Sequence, residues 1–206
     1  MRQAVLAAHG DLSDLSFRKF QVDWTRNVTA AAAVAAGKVP VLWQSTPAGP
    51  ADPAWTPSAA RLPNETVFMA WLNDDAVTAY AQGGMRVVNT HGFYVAGMGN
   101  TGWKTVYNNS VVPSGLSAAD ATRVLGGQLC LWGEQLTEAN LNMRAFQVGA
   151  AAAENFWLGL NAPQGGVAPA DEGTLGLQDR YNRFLCHLRS VQVDSPPQMP
   201  NHCVDM

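Results

Sequence analysis

The chain has 206 residues, of which 47% are hydrophobic and only 14% charged, and its formal net charge is −3. That length supports one sizeable core and not two large domains, while the low charged fraction and the net charge of −3 argue against a disordered chain and a nucleic-acid-binding one. There is no basic run of five residues and no apolar run near the ~18 needed to cross a bilayer, so neither nucleic acid nor a membrane span is expected.

The first residues, MRQAVLAAHGD, hold one Arg and an apolar segment too short for a secretory core, and no export signal is read there. Residues 14–36 (DLSFRKFQVDWTRNVTAAAAVAA) place apolar side chains at helical spacing and end in an Ala-rich tail, predicting a helix that stops at Gly37. Residues 38–44 predict a short buried strand around Val41-Leu42-Trp43. The Pro-rich stretch STPAGPADPAWTPSAARLPNE then shows no periodicity. Residues 66–72 (TVFMAWL) predict a second buried strand, after which Asn73-Asp74-Asp75 cap a helix through Tyr80 that stops at Gly83-Gly84. A third strand over residues 85–90 leads into the Gly-rich HGFYVAGMGNTG. The short helix SAADATRV precedes a fourth strand over 124–132, and two helices follow at about 140–158 and about 174–190.

Strands without alternation, separated by helices, are the pattern of parallel βα units and predict an α/β fold. Four such strands fit half of a (β/α)8 barrel, and a doubly wound sheet stays open on pattern alone. No GxGxxG follows a strand and no GxxxxGK[ST] occurs, which argues against nucleotide binding. One regularity favours the barrel. Trp43, Trp71 and Trp132 each fall at the C-terminal end of a predicted strand, where barrel enzymes hold their sites. Packing is the plainer reading of any one indole. Three at equivalent positions suggest ring faces around a concave mouth, suited to a sugar whose hydroxyls need an acceptor such as Glu134.

The three cysteines divide into Cys130, expected as inert core within the fourth strand, and Cys186 and Cys203 near the C-terminus. A bridge between the last two would pin the Pro-rich tail SPPQMPNHC to the helix before it. Sequons at Asn27, Asn64 and Asn108 also suit an oxidising, glycosylating compartment, lysosomal or extracellular, with its signal outside this chain. His9, His91, His187 and His202 show no metal-ligand spacing, and a pocket contact from His91 has no support.

The order VLWQ, a strand ending in Trp71, a strand leading to Phe93-Tyr94, and then GGQLCLWGE resembles glycoside hydrolase family 20, the β-N-acetylhexosaminidases. The family's last barrel strand reads close to GGEACLWGE, and the similarity continues through Arg144, AAAENFW and RFLCHLRSVQVDSPPQMPNHC. It runs from about residue 15 to Cys203 and covers only the second half of the family's barrel. The resemblance therefore implies about strands five to eight of a (β/α)8 barrel, in a single partial catalytic domain over residues 1–206. In lysosomal members a disulfide joins cysteines at the spacing of Cys186 and Cys203. The resemblance further implies that Trp43, Trp71 and Trp132 wall the N-acetyl pocket and that Tyr94 hydrogen-bonds the acetamide oxygen. Glu134 would accept hydrogen bonds from hydroxyls of the terminal sugar.

The implied reaction removes terminal N-acetylglucosamine or N-acetylgalactosamine with retention, the acetamide itself attacking the anomeric carbon, and needs no cofactor. The expected partners are glycans or glycoconjugates ending in these sugars, and a homodimer is one expectation. The departures concern catalysis. No strand here ends in the Gly-Asp-Glu that supplies the orienting Asp and the general acid. Ala96 stands where the family has another Asp, and Gln147-Val148 replace a Pro-Arg. Asp74-Asp75 read as helix-start charges and Asp171-Glu172 as a solvated turn, so neither is expected to substitute. Two further readings stay open beside a truncated hexosaminidase: a non-catalytic N-acetyl-sugar binder and an inert remnant.

Overall fold

A computed structural model describes residues 1–44, 62, 65–95, 102–159, 177–195 and 203. Ala96, Asn64, Asp171-Glu172, His202 and most of the predicted Pro-rich loop lie outside these residues. The elements run α1 (Arg2–His9), α2 (Asp14–Trp24), α3 (Ala31–Ala35), β1 (Val41–Trp43), β2 (Val67–Ala70), α4 (Asp74–Gln82), β3 (Arg86–Asn89), α5 (Trp103–Asn108), α6 (Ala118–Ala121), β4 (Val124–Gly127), α7 (Glu138–Gly159) and α8 (Leu177–Ser190). The four strands form one sheet in the order β1-β2-β3-β4, and the first two pairings are parallel. This is the α/β arrangement expected from the apolar strands. The chain divides into two compact units, Met1–Asn89 with Leu116–Leu125, and Thr90–Gly115 with Gly126–Met206.

In the first unit, Ser13 caps α2 by accepting from the Ser16 N–H. The single helix expected over 14–36 is interrupted by a π-helical turn at Thr25–Ala30 before α3, and Gly37 follows with φ 68°, the left-handed value that suits a glycine stop. All four residues of β2 are buried, as expected. β1 is not: Val41 is 59% exposed and Trp43 47%, because β1 sits at one end of the strand order with β2 alone beside it. After β2, Asn73 Oδ1 accepts from the Ala76 N–H at 2.8 Å, and Asp74 and Asp75 occupy the first turn of α4. The acidic pair thus complements a helix start. Tyr80 of α4 stacks on Phe68 of β2 with centroids 4.3 Å apart, and Val77 and Val87 are fully buried.

In the second unit, α5 packs on α7, and a core of Tyr107, Ala151, Tyr181, Leu185 and Leu188 joins α5, α7 and α8. Trp103 stacks on Tyr181 at 4.3 Å. The fourth strand expected over 124–132 ends at Gly127, and the chain pairs again only at Cys130, through an isolated parallel bridge to Tyr94. Two glycines weaken a strand, and the second is required by packing. A Cβ on Gly127 would lie 2.3 Å from Phe156 Cε1, and that ring meets Phe93 edge-on at 4.8 Å. Cys186 of α8 bonds to Cys203, the pairing expected from the sequence.

Asn155 of α7 is 3% exposed, and its Nδ2 lies 2.9, 2.7 and 2.6 Å from the carbonyl oxygens of Val106, Tyr107 and Asn109. One buried amide thereby serves the orphan carbonyls at the end of α5. Replacing Asn155 by Ala is expected to lower stability by about 1–3 kcal/mol, the cost of leaving buried acceptors unmet. A denaturant titration against the unmodified chain reads that loss directly.

Candidate functional site

The sequence singles out five side chains, and the two units divide them. Trp43 and Trp71 belong to the first, and Tyr94, Trp132 and Glu134 to the second. Trp43 is the last residue of β1 and lies opposite Met69 in register, while Trp71 is the residue that follows β2. Both end their strands as expected, and Trp71 is 38% exposed. The Trp71 indole Nε1–H donates to the Gln44 carbonyl oxygen at 2.8 Å, which fixes the ring's direction.

Trp132 departs from expectation. It does not end a strand, since β4 stops at Gly127. It stands in extended backbone just before a 3-10 turn over Gly133–Gln135, 50% exposed, and Glu134 is exposed within that turn. The turn is why an indole and a carboxylate can sit two residues apart and both face outwards.

Tyr94 and Trp132 are brought together. The bridge between Tyr94 and Cys130 is closed by Cys130 N–H to Phe93 O at 2.8 Å and Val95 N–H to Cys130 O at 2.9 Å. The Tyr94 hydroxyl lies near the side chains of Thr90, Cys130 and Trp132. The indole N–H can only donate, so Trp132 acts on the phenol oxygen as a neighbouring donor. Burial pushes the Tyr94 hydroxyl up to about 12, the neighbouring Cys130 sulfur adds to this, and the Thr90 and Trp132 contacts pull the other way. Burial likewise raises the Cys130 thiol, which the neighbouring Tyr94 hydroxyl offsets in part. The phenol is therefore held as a neutral O–H, a form able to donate to a carbonyl oxygen.

A proton held more tightly in the folded chain than in the unfolded one ties stability to pH. With an ordinary value of 10 and a folded value of about 12, the contribution of Tyr94 is complete below pH 10 and is lost as pH rises from 10 to 12. Tyr107 and Tyr181 are raised as well, each chiefly by burial. Tyr94→Phe should accordingly lose less stability than the unmodified chain between pH 10 and 12, as read from melting temperatures across that range. Equal slopes would remove the buried-phenol assignment.

Sequence reasoning missed three participants. Thr90 and Cys130 lie beside the Tyr94 hydroxyl, and Cys130 is a free, buried thiol as expected of a core position. Gln44 was visible only as the polar residue closing VLWQ, and only the pairing of β1 with β2 shows what it meets. No group of three or more metal-ligating side chains occurs among the described residues, nor does a helix long and apolar enough to cross a membrane.

Residues 3–160 match the glycosyl hydrolase family 20 catalytic domain. The chain is similar to beta-hexosaminidase 3 of Arabidopsis thaliana, at 28% identity over 48% of this chain and 18% of that protein. It is also similar to beta-hexosaminidase 1 of the same plant, at 25% identity over 80% of this chain and 28% of that one. A chitooligosaccharidolytic beta-N-acetylglucosaminidase of Ostrinia furnacalis is 30% identical over 50% of this chain and 16% of its own length. Among solved structures, a chitobiase of Flavobacterium johnsoniae aligns with TM-score 0.66 at 18% identity, over 93% of this chain and 27% of that one. An exo beta-N-acetylglucosaminidase of Vibrio harveyi, solved in complex with N-acetylglucosamine, aligns with TM-score 0.65 at 17% identity, over 96% and 30%. The structural likeness speaks for the fold, and the chain spans less than a third of the length of each of these relatives. With more than half of its residues matched to the catalytic domain, the chain belongs to glycosyl hydrolase family 20.

Proposed function

We propose that this chain carries the sugar-holding part of a β-N-acetylhexosaminidase catalytic domain. It would grip a terminal N-acetylglucosamine or N-acetylgalactosamine for substrate-assisted, retaining hydrolysis, with glycans or glycoconjugates ending in those sugars as substrates. The carrying observation is the Tyr94–Trp132–Glu134 group of the second unit. It combines a phenol held protonated, a half-exposed indole beside it, and an exposed carboxylate two residues on. An N-acetyl sugar asks for these three chemistries: a donor to the acetamide oxygen, a flat apolar wall, and an acceptor for hydroxyls. Trp43 and Trp71, at strand ends of the first unit, are assigned to sugar contact by the family resemblance.

The architecture proposed for these residues is about strands five to eight of a (β/α)8 barrel, a single partial catalytic domain over 1–206. The parallel β1-β2-β3 pairings and the partial superposition on longer family structures support it. The Asp-Glu pair of the family's chemistry has no counterpart we can place in this sequence, so the chain holds sugar better than it cleaves it. The Cys186–Cys203 bond and the sequons at Asn27 and Asn108 favour a lysosomal or extracellular setting with glycosylation. Homodimerisation rests on the resemblance alone.

The test pairs hydrolysis of a chromogenic N-acetylglucosaminide with binding of free N-acetylglucosamine. Binding is expected, with turnover lowered roughly 10²–10⁴-fold or more relative to a family enzyme that has its general acid. Full turnover would show an acid that this reading lacks, and neither binding nor turnover would leave the inert remnant.

A further inference from the structure

Gln44 is 3% exposed, a buried amide immediately after β1. Its backbone continues the parallel ladder by one step, with Gln44 N–H donating to Met69 O at 2.9 Å. There the backbone ladder stops. The next donors on the neighbouring chain, the N–H groups of Trp71 and Leu72, both reach Gln44 Oε1, at 3.0 and 3.1 Å. Two backbone donors on one side-chain atom identify that atom as the amide oxygen. The side chain thus stands in for the strand carbonyl that β1 does not supply, and it turns the chain out of β2 at a fixed angle. The Gln44 carbonyl oxygen then takes the Trp71 indole N–H at 2.8 Å. One residue holds Trp71 at both its backbone and its ring.

A buried polar side chain with its acceptor filled twice is a strong local constraint. Trp71 itself is 38% exposed, so the hydrogen bonds to Gln44 add to packing in holding its ring. We infer that Gln44 is the positioning residue for Trp71, setting the direction of the indole that serves as a pocket wall. The inference rests on the sugar-holding reading above for the purpose of that wall, and on the hydrogen bonds for the positioning itself.

The experiment uses the whole chain, labelled with 15N at its seven indoles, and assigns the Trp71 signal by its disappearance in Trp71→Phe. Gln44→Met keeps the length of the side chain and removes the acceptor, whereas Gln44→Glu keeps an acceptor oxygen. In Gln44→Met the Trp71 indole signal should shift or broaden while the other six stay in place, and Gln44→Glu should restore it. N-acetylglucosamine titrated into the same samples should bind about tenfold more weakly to Gln44→Met, because a misplaced contact forfeits its share of the fit. The combination Gln44→Met with Trp71→Ala should then bind no worse than Trp71→Ala alone. An unmoved Trp71 signal in Gln44→Met overturns the positioning role, as does full additivity of the two substitutions. If the unmodified chain binds no N-acetylglucosamine, the sugar-holding reading fails by itself, and the indole signal still decides the role of Gln44.

Discussion

Trp132→Ala is expected to weaken N-acetylglucosamine binding by about 30-fold, equivalent to about 2 kcal/mol, the scale of a central aromatic anchor. Two losses combine in that figure. The exposed ring face offered to the sugar disappears, and the Tyr94 hydroxyl loses a neighbouring N–H donor. Trp132→Phe separates them, since a phenyl ring keeps an apolar face but cannot donate. It is expected to fall between the unmodified chain and the alanine variant. Calorimetric titration of the three proteins checks the order, and equal affinities would remove Trp132 from the proposed pocket.

The second large effect concerns stability. The Cys186–Cys203 bond closes a loop with a sequence separation of 17 residues, which holds the end of the chain to α8. Cys186 is 2% exposed and its neighbour Leu185 is fully buried, so the bond anchors in the core of the second unit. Replacing both cysteines by serine is expected to cost about 3 kcal/mol, the loop-closure value for this length, or about 6–12 °C in melting temperature for a protein of this size. Thermal melting with and without a reductant should reproduce the same difference in the unmodified chain. An unchanged melting temperature in the double variant would mean that the tail contributes nothing to the second unit.

What could be read in advance follows how local each signal is. β2 and α4 were legible because a continuous apolar run and an Asn cap act within a few residues, and both appear where expected. α5 was not legible. Trp103-Lys104-Thr105-Val106-Tyr107-Asn108 has little helix propensity of its own, and the segment is held by Asn155 and the face of α7, about fifty residues away. α1 was not legible either, since a short apolar segment at the start of a sequence raises the question of a leader, yet Arg2–His9 form eight residues of helix. The fourth strand is shorter than its apolar run predicts, because such a run does not reveal where a ring will press on a glycine, as Phe156 does on Gly127. β1 looked buried by composition, yet burial depends on having neighbours on both sides, which is information about the sheet and not about the segment.

The site divides along the same line. GGQLCLWGE carries Trp132 and Glu134 in a short, specific string, so those residues were available from the sequence together with the family they point to. The environment of Tyr94 was not. It depends on a bridge to Cys130, thirty-six positions on, which brings a thiol and an indole to one hydroxyl. Gln44 escaped notice for a related reason, because its value lies in the donors that β2 presents to it.

The central claim is that these residues hold the N-acetyl group of a hexosamine. Titrating the chain with N-acetylglucosamine beside glucosamine, which lacks only the acetyl group, tests it most directly. Saturable binding of N-acetylglucosamine, weakened at least about tenfold for glucosamine by loss of the acetamide contacts, is the predicted result. Equal affinity for the two sugars, or no binding of either, would contradict it.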